Sequence, residues 1–197
     1  MNTPSHFLMT ATFKKAFPRI EIVKSAFLLG SIAPDIPLYL LSIGGILYYH
    51  SFRGWSLAET FRLMFDELYF HDPFWIASHN LLHSPLTLLS ALGLLWRFRR
   101  RTAARKSWWF WFFCACAFHS LVDILTHVDD GPLLFFPLDW TTRWQSPVSY
   151  WDPRHYGREF ARFEGSLDAI LTIYLVGPWV YRRLRRRGDG ERKNDER

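Results

Sequence analysis

Apolar residues form long stretches along this chain, and short polar or basic segments separate them. The length of these stretches and the roughly 3.6-residue spacing of their apolar positions indicate helices. The alternating pattern that would indicate half-buried strands is missing. We therefore predict an all-α protein with an amphipathic N-terminal helix over residues 3–17 and further helices over 22–49, 56–70, 78–96, 107–127 and 166–184.

Local signals mark where these helices begin, break and end. Pro18 ends the first helix, and Ser56 and Glu59 form a capping box at the start of the third. In the second helix, the sequence APDIP places a proline on each side of Asp35, so the helix must break there. A carboxylate at a break in an apolar helix is costly unless it is paired, exposed or bound to a cation.

The remaining segments complete a single domain. Residues 129–160 are rich in proline, glycine and aromatic residues, and we predict an ordered loop that ends in a short helix. Residues 185–197 are charged and show no apolar periodicity, so we predict a disordered tail. Residues 1–184 then form one helical domain, which is long enough for a compact core.

The composition places this domain in a membrane. Hydrophobic residues make up 49% of the chain, including 10 Trp and 18 Phe, and this aromatic load exceeds what a small soluble domain needs. The mean hydropathy is only −0.05, because arginine is dense in residues 97–106 and 181–197. Both basic segments flank apolar stretches, as in membrane proteins with positive cytoplasmic loops. We predict an inner-membrane bundle of about 3–5 apolar helices. We predict no nucleic-acid partner, because aromatic apolar stretches separate the basic segments and leave no continuous basic face.

The basic segments also indicate an orientation. If residues 97–106 and the C-terminus are cytoplasmic, His83 and His119 each lie roughly 20 Å from that segment, at a rise of about 1.5 Å per residue. Both histidines then fall at the outer ends of two antiparallel helices. The apolar runs over 81–96 and 166–181 have only about 16 residues, short of the ~20 that a span needs, so the number of spans stays open.

The candidate chemistry lies on the apolar helices. His119, Asp123 and His127 are spaced four residues apart and share one helical face, and His79 and His83 repeat this spacing. Ionisable groups are expensive in such helices, so we expect a shared function for them. Polar residues near the N-terminus and at the proline break extend the set of candidate metal ligands to His6, Asp35, His79, His83, His119, Asp123 and His127.

The donor types indicate which ion this set would hold. Imidazole and carboxylate without a thiolate suit Zn²⁺, Mn²⁺ or Fe²⁺, with zinc as the first expectation, and the set can hold one to three ions. Such an ion lowers the pKa of a bound water and supplies a nucleophile near neutral pH. Asp129 and Asp130 follow the set directly, and they either support an imidazole or form an exposed turn.

Three arginines after the metal helix are candidate substrate ligands: Arg143, Arg154 and Arg158. A guanidinium can bind a phosphate through two hydrogen bonds. The alternative is that these side chains reach for lipid headgroups at the membrane surface.

Other polar residues on or near the apolar stretches are predicted to serve packing. They are His50, His71, His155, Ser84, Ser120, Cys114 and Cys116. The i, i+2 spacing of the two cysteines points them to different helical faces, which disfavours a disulfide between them.

Four stretches of the chain resemble a known family. They are SHFLMTATF, GSIAPDIP, HNLLHS and FHSLVDILTHVDDGPLLFFPLDWTTRW, which together span residues 5–144. Their order and content are similar to the membrane-bound metal-dependent hydrolase family of the LexA-regulated inner-membrane type. That family is in turn similar to zinc-dependent phospholipase C.

The resemblance implies a hydrolase that acts on a phosphoester or a lipid ester. His79 takes the place of the family's first histidine with slightly altered spacing, and His127 resembles a histidine of the phospholipase C arrangement. The chain departs from the family at Pro37, which replaces a second acid, and at His-Asn-Leu, which replaces His-Arg-Gly. The candidate ligands that match the family motifs position for position are His6, Asp35, His83, His119 and Asp123.

We therefore predict a membrane-embedded hydrolase in which metal-activated water attacks the substrate, with Asp35, His119 and Asp123 as catalytic residues. Membrane lipid is the expected partner. The same ligands are also compatible with a non-catalytic membrane scaffold whose metal pins the helices together. A metal or proton transporter is disfavoured, because the cytoplasmic halves of the helices carry almost no polar residues that could form a relay.

Overall fold

The chain folds as a bundle of helices joined by loops. A computed structural model describes residues 1–99 and 108–195, and within them the extended pairing is limited to an isolated bridge between Leu133 and Arg143. The prediction of an all-α chain is confirmed. The helices are α1 (Thr3–Ala16), α2 (Lys24–Gly30), α3 (Ile36–Gly45), α4 (Leu57–Arg62), α5 (Tyr69–His71), α6 (Pro73–Asn80), α7 (Pro85–Arg99), α8 (Trp108–Thr126) and α9 (Gly157–Asp195).

Three further segments are helical but not α-helical. π-helical segments over Ile46–Phe52 and Leu63–Leu68 continue α3 and α4, and a 3₁₀ turn over Pro153–His155 precedes α9.

α8 is the central helix, and α2 runs parallel to it. The indole N–H of Trp108, at the start of α8, donates to Ser25 Oγ at 3.1 Å. Further along both helices, the His119 Nδ1 atom lies 2.8 Å from the Ser31 carbonyl oxygen. The two helices therefore advance together from Trp108 towards Asp123.

α1 and α9 run in the opposite direction. His6 of α1 stacks on His119 with ring centroids 3.7 Å apart. Towards its other end, α1 packs against α2 through an aromatic contact with Phe27. Ser5 Oγ donates to Asp168 Oδ2 at 2.8 Å, and this contact places the first half of α9 beside the start of α1.

α7 is also antiparallel to α8. Leu88 of α7 shares a buried core cluster with Cys116, and Trp96 of α7 contacts the first turn of α8. α1, α2, α7, α8 and α9 therefore share two common ends. We call the end near Asp123 the polar end and the end near Trp108 the basic end.

Close packing of α2 on α8 depends on a residue without a side chain. A Cβ at Gly30 would overlap the Phe112 carbonyl oxygen and would lie 2.9 Å from Ala115 Cβ. Around this contact, the buried core is made of Ala26, Ala33, Leu88, Phe112 and Cys116.

Proline divides two of the helices that the sequence pattern predicted. The APDIP sequence separates α2 from α3, as predicted, and Asp35 lies in that break. The predicted helix over 78–96 is also divided, into α6 and α7. Pro85 has no backbone donor and disfavours helical backbone at the residue before it. The turn between α6 and α7 carries His83.

Residues 36–71 form a helical hairpin beside the polar end. α3 and its π-helical continuation form one arm, and the segment from α4 to α5 forms the other. The arms approach closely at Gly45, where a Cβ would overlap Met64 Sδ. The predicted capping box is confirmed: Ser56 Oγ accepts from the Glu59 N–H, and the Glu59 carboxylate accepts from the Ser56 N–H at 2.9 Å.

α9 is longer than the sequence pattern predicted. It runs from Gly157 to Asp195, whereas the pattern predicted a helix over 166–184 and a disordered tail over 185–197. Lysine, arginine and glutamate are good helix formers, so the helical backbone continues through much of the charged segment. Residues 196–197 lie outside the described residues.

A contact from α1 accommodates a proline inside α9. Pro178 has no N–H, so the Tyr174 carbonyl oxygen loses its helical partner. The Lys15 ammonium donates to this oxygen and to the Leu175 carbonyl oxygen, and it lies 4.5 Å from the centroid of the Tyr174 ring. The contact ties the end of α1 to α9.

Within residues 1–99 and 108–195, α8 is the one helix that is long and apolar enough to cross a membrane, with 19 residues. Two shorter apolar helices are Ile36–Phe52 and Pro85–Arg97. The sequence predicted about 3–5 apolar helices, and among the described residues one of them is long enough to span a membrane. Most of the basic segment over 97–106 lies outside those residues.

Gly30→Ala is predicted to destabilise the bundle, because the added methyl group must push α2 away from α8. The expected loss is about 1–3 kcal/mol of unfolding free energy, which is typical of overpacking a core. Thermal unfolding of the detergent-solubilised protein measures it. Gly44→Ala is the control, because a Cβ at Gly44 meets nothing within 4 Å. Equal stability of the two variants would contradict the close packing of α2 on α8.

Candidate metal centre

Four ionisable side chains converge at the polar end of the bundle: Asp35, His83, His119 and Asp123. Each offers one ligand atom, and the four atoms all lie within 4.8 Å of one another. Three separate parts of the chain deliver them, namely the break before α3, the turn before α7 and one face of α8. The two histidines and Asp123 are buried, and Asp35 is partly buried.

The distances between the ligand atoms are those of a small coordination sphere. His119 Nε2 lies 3.0 Å from Asp123 Oδ2 and 3.4 Å from Asp35 Oδ1. His83 Nε2 lies 3.6 Å and 3.5 Å from the same two oxygens. Ligands that surround a tetrahedral zinc ion at about 2.0–2.1 Å are roughly 3.3 Å from one another. The four atoms therefore need little movement to bind one ion.

The backbone determines which nitrogen of each imidazole faces the centre. His83 Nδ1 bonds to the His79 carbonyl oxygen, and His119 Nδ1 bonds to the Ser31 carbonyl oxygen, each at 2.8 Å. A carbonyl oxygen only accepts, so both Nδ1 atoms carry a proton, and each Nε2 offers a lone pair when its ring is neutral or an N–H when its ring is protonated. These Nε2 atoms are 3.2 Å apart. Two Nε2 atoms this close to each other and to two carboxylates are compensated either by protons on the rings or by a bound metal ion.

Asp35 is held in its ionised form. Thr3 Oγ1 donates to Asp35 Oδ2. Burial by itself raises the pKa of Asp35, but hydrogen bonding to His119 and His83 outweighs burial and brings the pKa well below its usual range. The carboxylate is therefore charged near neutral pH, as a metal ligand must be.

His6 contacts the carboxylate of Asp123 rather than the centre itself. Its Nε2 lies 2.9 Å from Asp123 Oδ1, the oxygen that is turned away from His83 and His119. The Met1 ammonium lies 2.8 Å from the same oxygen and 2.9 Å from Thr126 Oγ1. His6 is thus placed to orient a ligand carboxylate. Within the described part of the chain, its Nδ1 is buried and has no hydrogen-bond partner.

Tyr69 links His79 to the loop that follows α8. The Tyr69 hydroxyl donates to the Asp130 carbonyl oxygen at 2.7 Å and lies 3.0 Å from His79 Nε2. Because the hydroxyl proton is already used, His79 Nε2 donates and its Nδ1 carries the lone pair. Burial lowers the pKa of His79, so the ring is neutral near pH 7. The ring lies against His83, with centroids 4.2 Å apart.

His127 lies directly after α8. Its Nδ1 donates to the Asp123 carbonyl oxygen at 2.8 Å, which leaves Nε2 for other partners. Its ring lines a cavity of about 610 Å³. His127 is therefore beside the four central groups, as His6 and His79 are, and outside the set whose ligand atoms meet.

The cavity borders the centre through Asp35 and Asp123, and its volume is that of a small-molecule site. Leu38 and Tyr39 of α3 line one side of it, and Tyr150 of the loop before α9 lines another. Its other charged residues are Asp66, Asp129, Asp130, Asp152 and Arg154. A space of substrate size thus adjoins the candidate metal ligands.

The three candidate substrate arginines occupy different places. The Arg143 guanidinium donates to the Gly131 carbonyl oxygen and lies against the ring of Tyr69. Arg154 lines the cavity and pairs with Asp152 at 2.9–3.1 Å. Arg158 is exposed at the start of α9. Of the three, Arg154 is the one that borders the cavity.

The residues predicted to serve packing lie outside the centre. His50 and His71 are exposed rather than buried, because they lie on the outer side of the hairpin, and His155 is half-buried. Ser120 donates to the His83 carbonyl oxygen, which is a structural contact between α8 and the turn before α7.

Sequence patterns did not point to the groups that support the centre. Thr3, Tyr69 and the Ser31 carbonyl are far apart in the chain and share no periodicity. Asn80 Oδ1 accepts from the Leu133 N–H at 2.8 Å and so holds the loop after α8 against α6. Asn80 lies next to His79, inside a histidine motif, and this position was the one signal in the sequence that could have indicated its role.

The family described as YdjM inner membrane protein matches residues 1–184. The chain belongs to this family. No curated protein and no solved structure matches the chain. The family's description names a membrane and no reaction, so the chemistry has to be argued from the centre itself.

Tyr69→Phe is predicted to lower the unfolding free energy by about 1–3 kcal/mol, because His79 Nε2 and the Asp130 carbonyl oxygen lose a buried partner. Thermal unfolding in detergent measures the loss. Tyr39→Phe is the matched control: Tyr39 is 53% exposed, so water replaces the lost contact and the change stays within about 0.5 kcal/mol. If both variants lose the same stability, the Tyr69 hydroxyl does not support the centre.

Proposed function

We propose that this chain is a metal-dependent hydrolase of the inner membrane whose ion is bound by Asp35, His83, His119 and Asp123. The observation that carries the proposal is the pair of imidazole Nε2 atoms that face each other at 3.2 Å beside two carboxylates. Buried groups of this kind are paired or coordinate metals. Their donor atoms suit Zn²⁺ first, with Mn²⁺ and Fe²⁺ as alternatives.

The residues present fit such an ion, which would supply a water nucleophile near neutral pH when bound. Hydrogen bonds with other groups of the chain orient these ligands. The His79 and Ser31 carbonyls orient the two imidazoles, and His6 and Thr3 orient the two carboxylates. His6, His79 and His127 are the further ligands that a second or third ion would use.

We propose a phosphoester or a lipid ester as the substrate class. Leu38, Phe65 and Phe70 give the cavity beside the centre an apolar lining, and Arg154 offers a guanidinium that can bind an anionic group. An ester that joins a polar head to an acyl chain fits this mixed lining. Arg143 and Arg158 remain candidates for headgroup contacts away from the cavity.

A non-catalytic scaffold with a structural metal is the alternative, and one observation favours it. The centre brings together four protein ligands, and structural zinc sites are closed by four such ligands, whereas catalytic sites keep a position for water. An ion bound there would pin α8 to the break before α3 and to the turn before α7. Activity therefore decides between the two functions.

We also propose that the basic end faces the cytoplasm and that the centre lies towards the outer face. Arg97 and the arginines of α9 after Pro178 lie at the basic end, in agreement with the positive-inside rule. Asp123 is roughly 22 Å along α8 from Trp108, at about 1.5 Å per residue. This depth corresponds to the outer leaflet of a hydrocarbon core of about 30 Å, where a membrane lipid is within reach.

Metal content tests the centre. Elemental mass spectrometry of the detergent-purified protein is expected to find one or more zinc, manganese or iron ions per chain, and His119→Ala/Asp123→Ala should lose them. His50→Ala/Glu67→Ala is the matched control, because it removes one histidine and one acid from exposed positions. Near-zero metal in the unmodified protein and in both variants would refute the metal centre.

Activity separates the enzyme from the scaffold. The metal-loaded protein is expected to hydrolyse a chromogenic phosphodiester or a fluorogenic phospholipid, and chelation should abolish the reaction. His119→Ala/Asp123→Ala should lower the rate at least about 100-fold, since a catalytic ion contributes several kcal/mol. A protein that holds its metal and hydrolyses no ester in a phosphoester and lipid panel would support the scaffold instead.

A further inference from the structure

Cations from separate segments gather at the basic end of the bundle. α1 ends with Lys14 and Lys15, the turn that follows contains Arg19, and α2 begins with Lys24. We define the basic collar as the described cations at this end: Lys14, Lys15, Arg19, Lys24, Arg97, Arg182, Arg183 and Arg185. The sequence alone had marked two basic segments, and neither included the first four of these residues.

The structure places the turn over 17–23 level with the start of α8. Phe27 of α2 lies edge-on to Trp111 with ring centroids 6.0 Å apart, and Ser25 accepts from the Trp108 indole at 3.1 Å. α1 descends from the polar end and α2 returns to it, so the turn between them is the point of the N-terminal hairpin nearest the basic end. Lys15 reaches from there to α9.

Exposed aromatic side chains accompany the collar. Phe17 lies in the turn, Trp96 near the end of α7, Trp109 at the start of α8 and Trp179 on α9, and all four are exposed. The Arg183 guanidinium lies 5.2 Å from the centroid of the Trp179 ring. Tryptophan beside lysine and arginine at one level of a helical bundle is typical of the membrane–water interface.

We propose that the basic collar binds the anionic phospholipid headgroups of the inner leaflet, with residues 14–24 as its N-terminal part. Its charge favours this partner, since the acid within the N-terminal part is Glu21 alone, against Lys14, Lys15, Arg19 and Lys24. Anionic headgroups attract juxtamembrane cations by about 1 kcal/mol each. The inference goes beyond hydrolysis, because it holds whether or not the metal centre is catalytic.

The consequence is a firm position for α1. Lys15 fastens one end of α1 to α9, and the collar fastens the same end to the membrane surface. The other end of α1 carries His6, which contacts Asp123. Headgroup binding therefore holds in place the helix that supports the candidate metal centre.

Labelling from one side of the membrane tests the position of the turn. Arg19→Cys introduces a thiol in the turn, and Leu138→Cys introduces one at the polar end, where Leu138 is 84% exposed. A membrane-impermeant maleimide is expected to label Arg19→Cys only in inverted vesicles and Leu138→Cys only in spheroplasts. The unmodified chain, with Cys114 half-buried and Cys116 buried in α8, gives the background. Labelling of both variants from one side, or the reverse pattern, would overturn the proposal.

Lipid binding tests the collar itself. Fluorescent phosphatidylglycerol should bind the detergent-purified protein more tightly than the phosphatidylcholine equivalent. Lys14→Gln/Arg19→Gln/Lys24→Gln should weaken that binding on the order of 100-fold, since each cation contributes about fivefold. Arg53→Gln/Arg62→Gln/Arg162→Gln removes the same charge from exposed positions away from the basic end and should leave binding unchanged.

Two results would contradict the collar. One is equal weakening by the two triple variants, which would indicate a response to net charge alone. The other is equal affinity of the unmodified protein for the two lipids. Metal content in detergent should be the same in both triple variants and in the unmodified protein, because all three keep the contact of Lys15 with α9 that positions α1. A failure of the metal centre is therefore recognised separately from a failure of the collar.

Discussion

The buried charge of Asp123 is the constraint around which the polar end is organised. An ionised carboxylate in a protein interior costs several kcal/mol unless nearby groups compensate it. Here the Met1 ammonium and His6 contact one oxygen, and His119 and His83 lie near the other. Those partners come from residues 1–6, α8 and the turn before α7, so a single carboxylate sets the relative positions of three parts of the chain.

The packing of α2 on α8 depends on the same region and reaches the centre through the backbone. Gly30 allows the two helices to approach, and the next residue, Ser31, presents its carbonyl oxygen to His119 Nδ1. The proline-flanked break that follows then delivers Asp35 to the same histidine. One short stretch of chain therefore provides three features in order: the close contact of α2 with α8, the oxygen that orients His119, and the second carboxylate.

The two ends of the bundle have opposite chemistry, and α8 connects them. Carboxylates and imidazoles meet at the polar end, whereas lysine, arginine and tryptophan surround the basic end. The membrane hydrolase that we propose would need both a defined depth for its centre and a surface that fixes that depth. The separation of roughly 22 Å along α8, at about 1.5 Å per residue, provides the first, and the collar that we propose provides the second.

Local spacing in the sequence determined the helical class, the break at Asp35, the capping box at Ser56 and the shared face of His119 and Asp123. Each of these depends on residues within about two helical turns of one another, where the geometry of a helix is nearly constant. The division at Pro85 and the full length of α9 were not predicted. The effect of Pro85 on the residue before it was underestimated, and the charged residues that extend α9 carry no apolar spacing from which its length could be predicted.

Only the tertiary structure decided which of the seven candidate ligands meet. Spacing along a helix places a side chain on a face, but the 3.2 Å between His83 Nε2 and His119 Nε2 depends on how α7 packs against α8. The same holds for His6 and His79, whose Nε2 atoms lie at hydrogen-bond distance from Asp123 and Tyr69 on other segments. His127 differs, because its Nδ1 bonds to the Asp123 carbonyl oxygen four residues earlier. Directional contacts between distant segments have no signature in local periodicity, so the selection of four central ligands from seven required the packed chain.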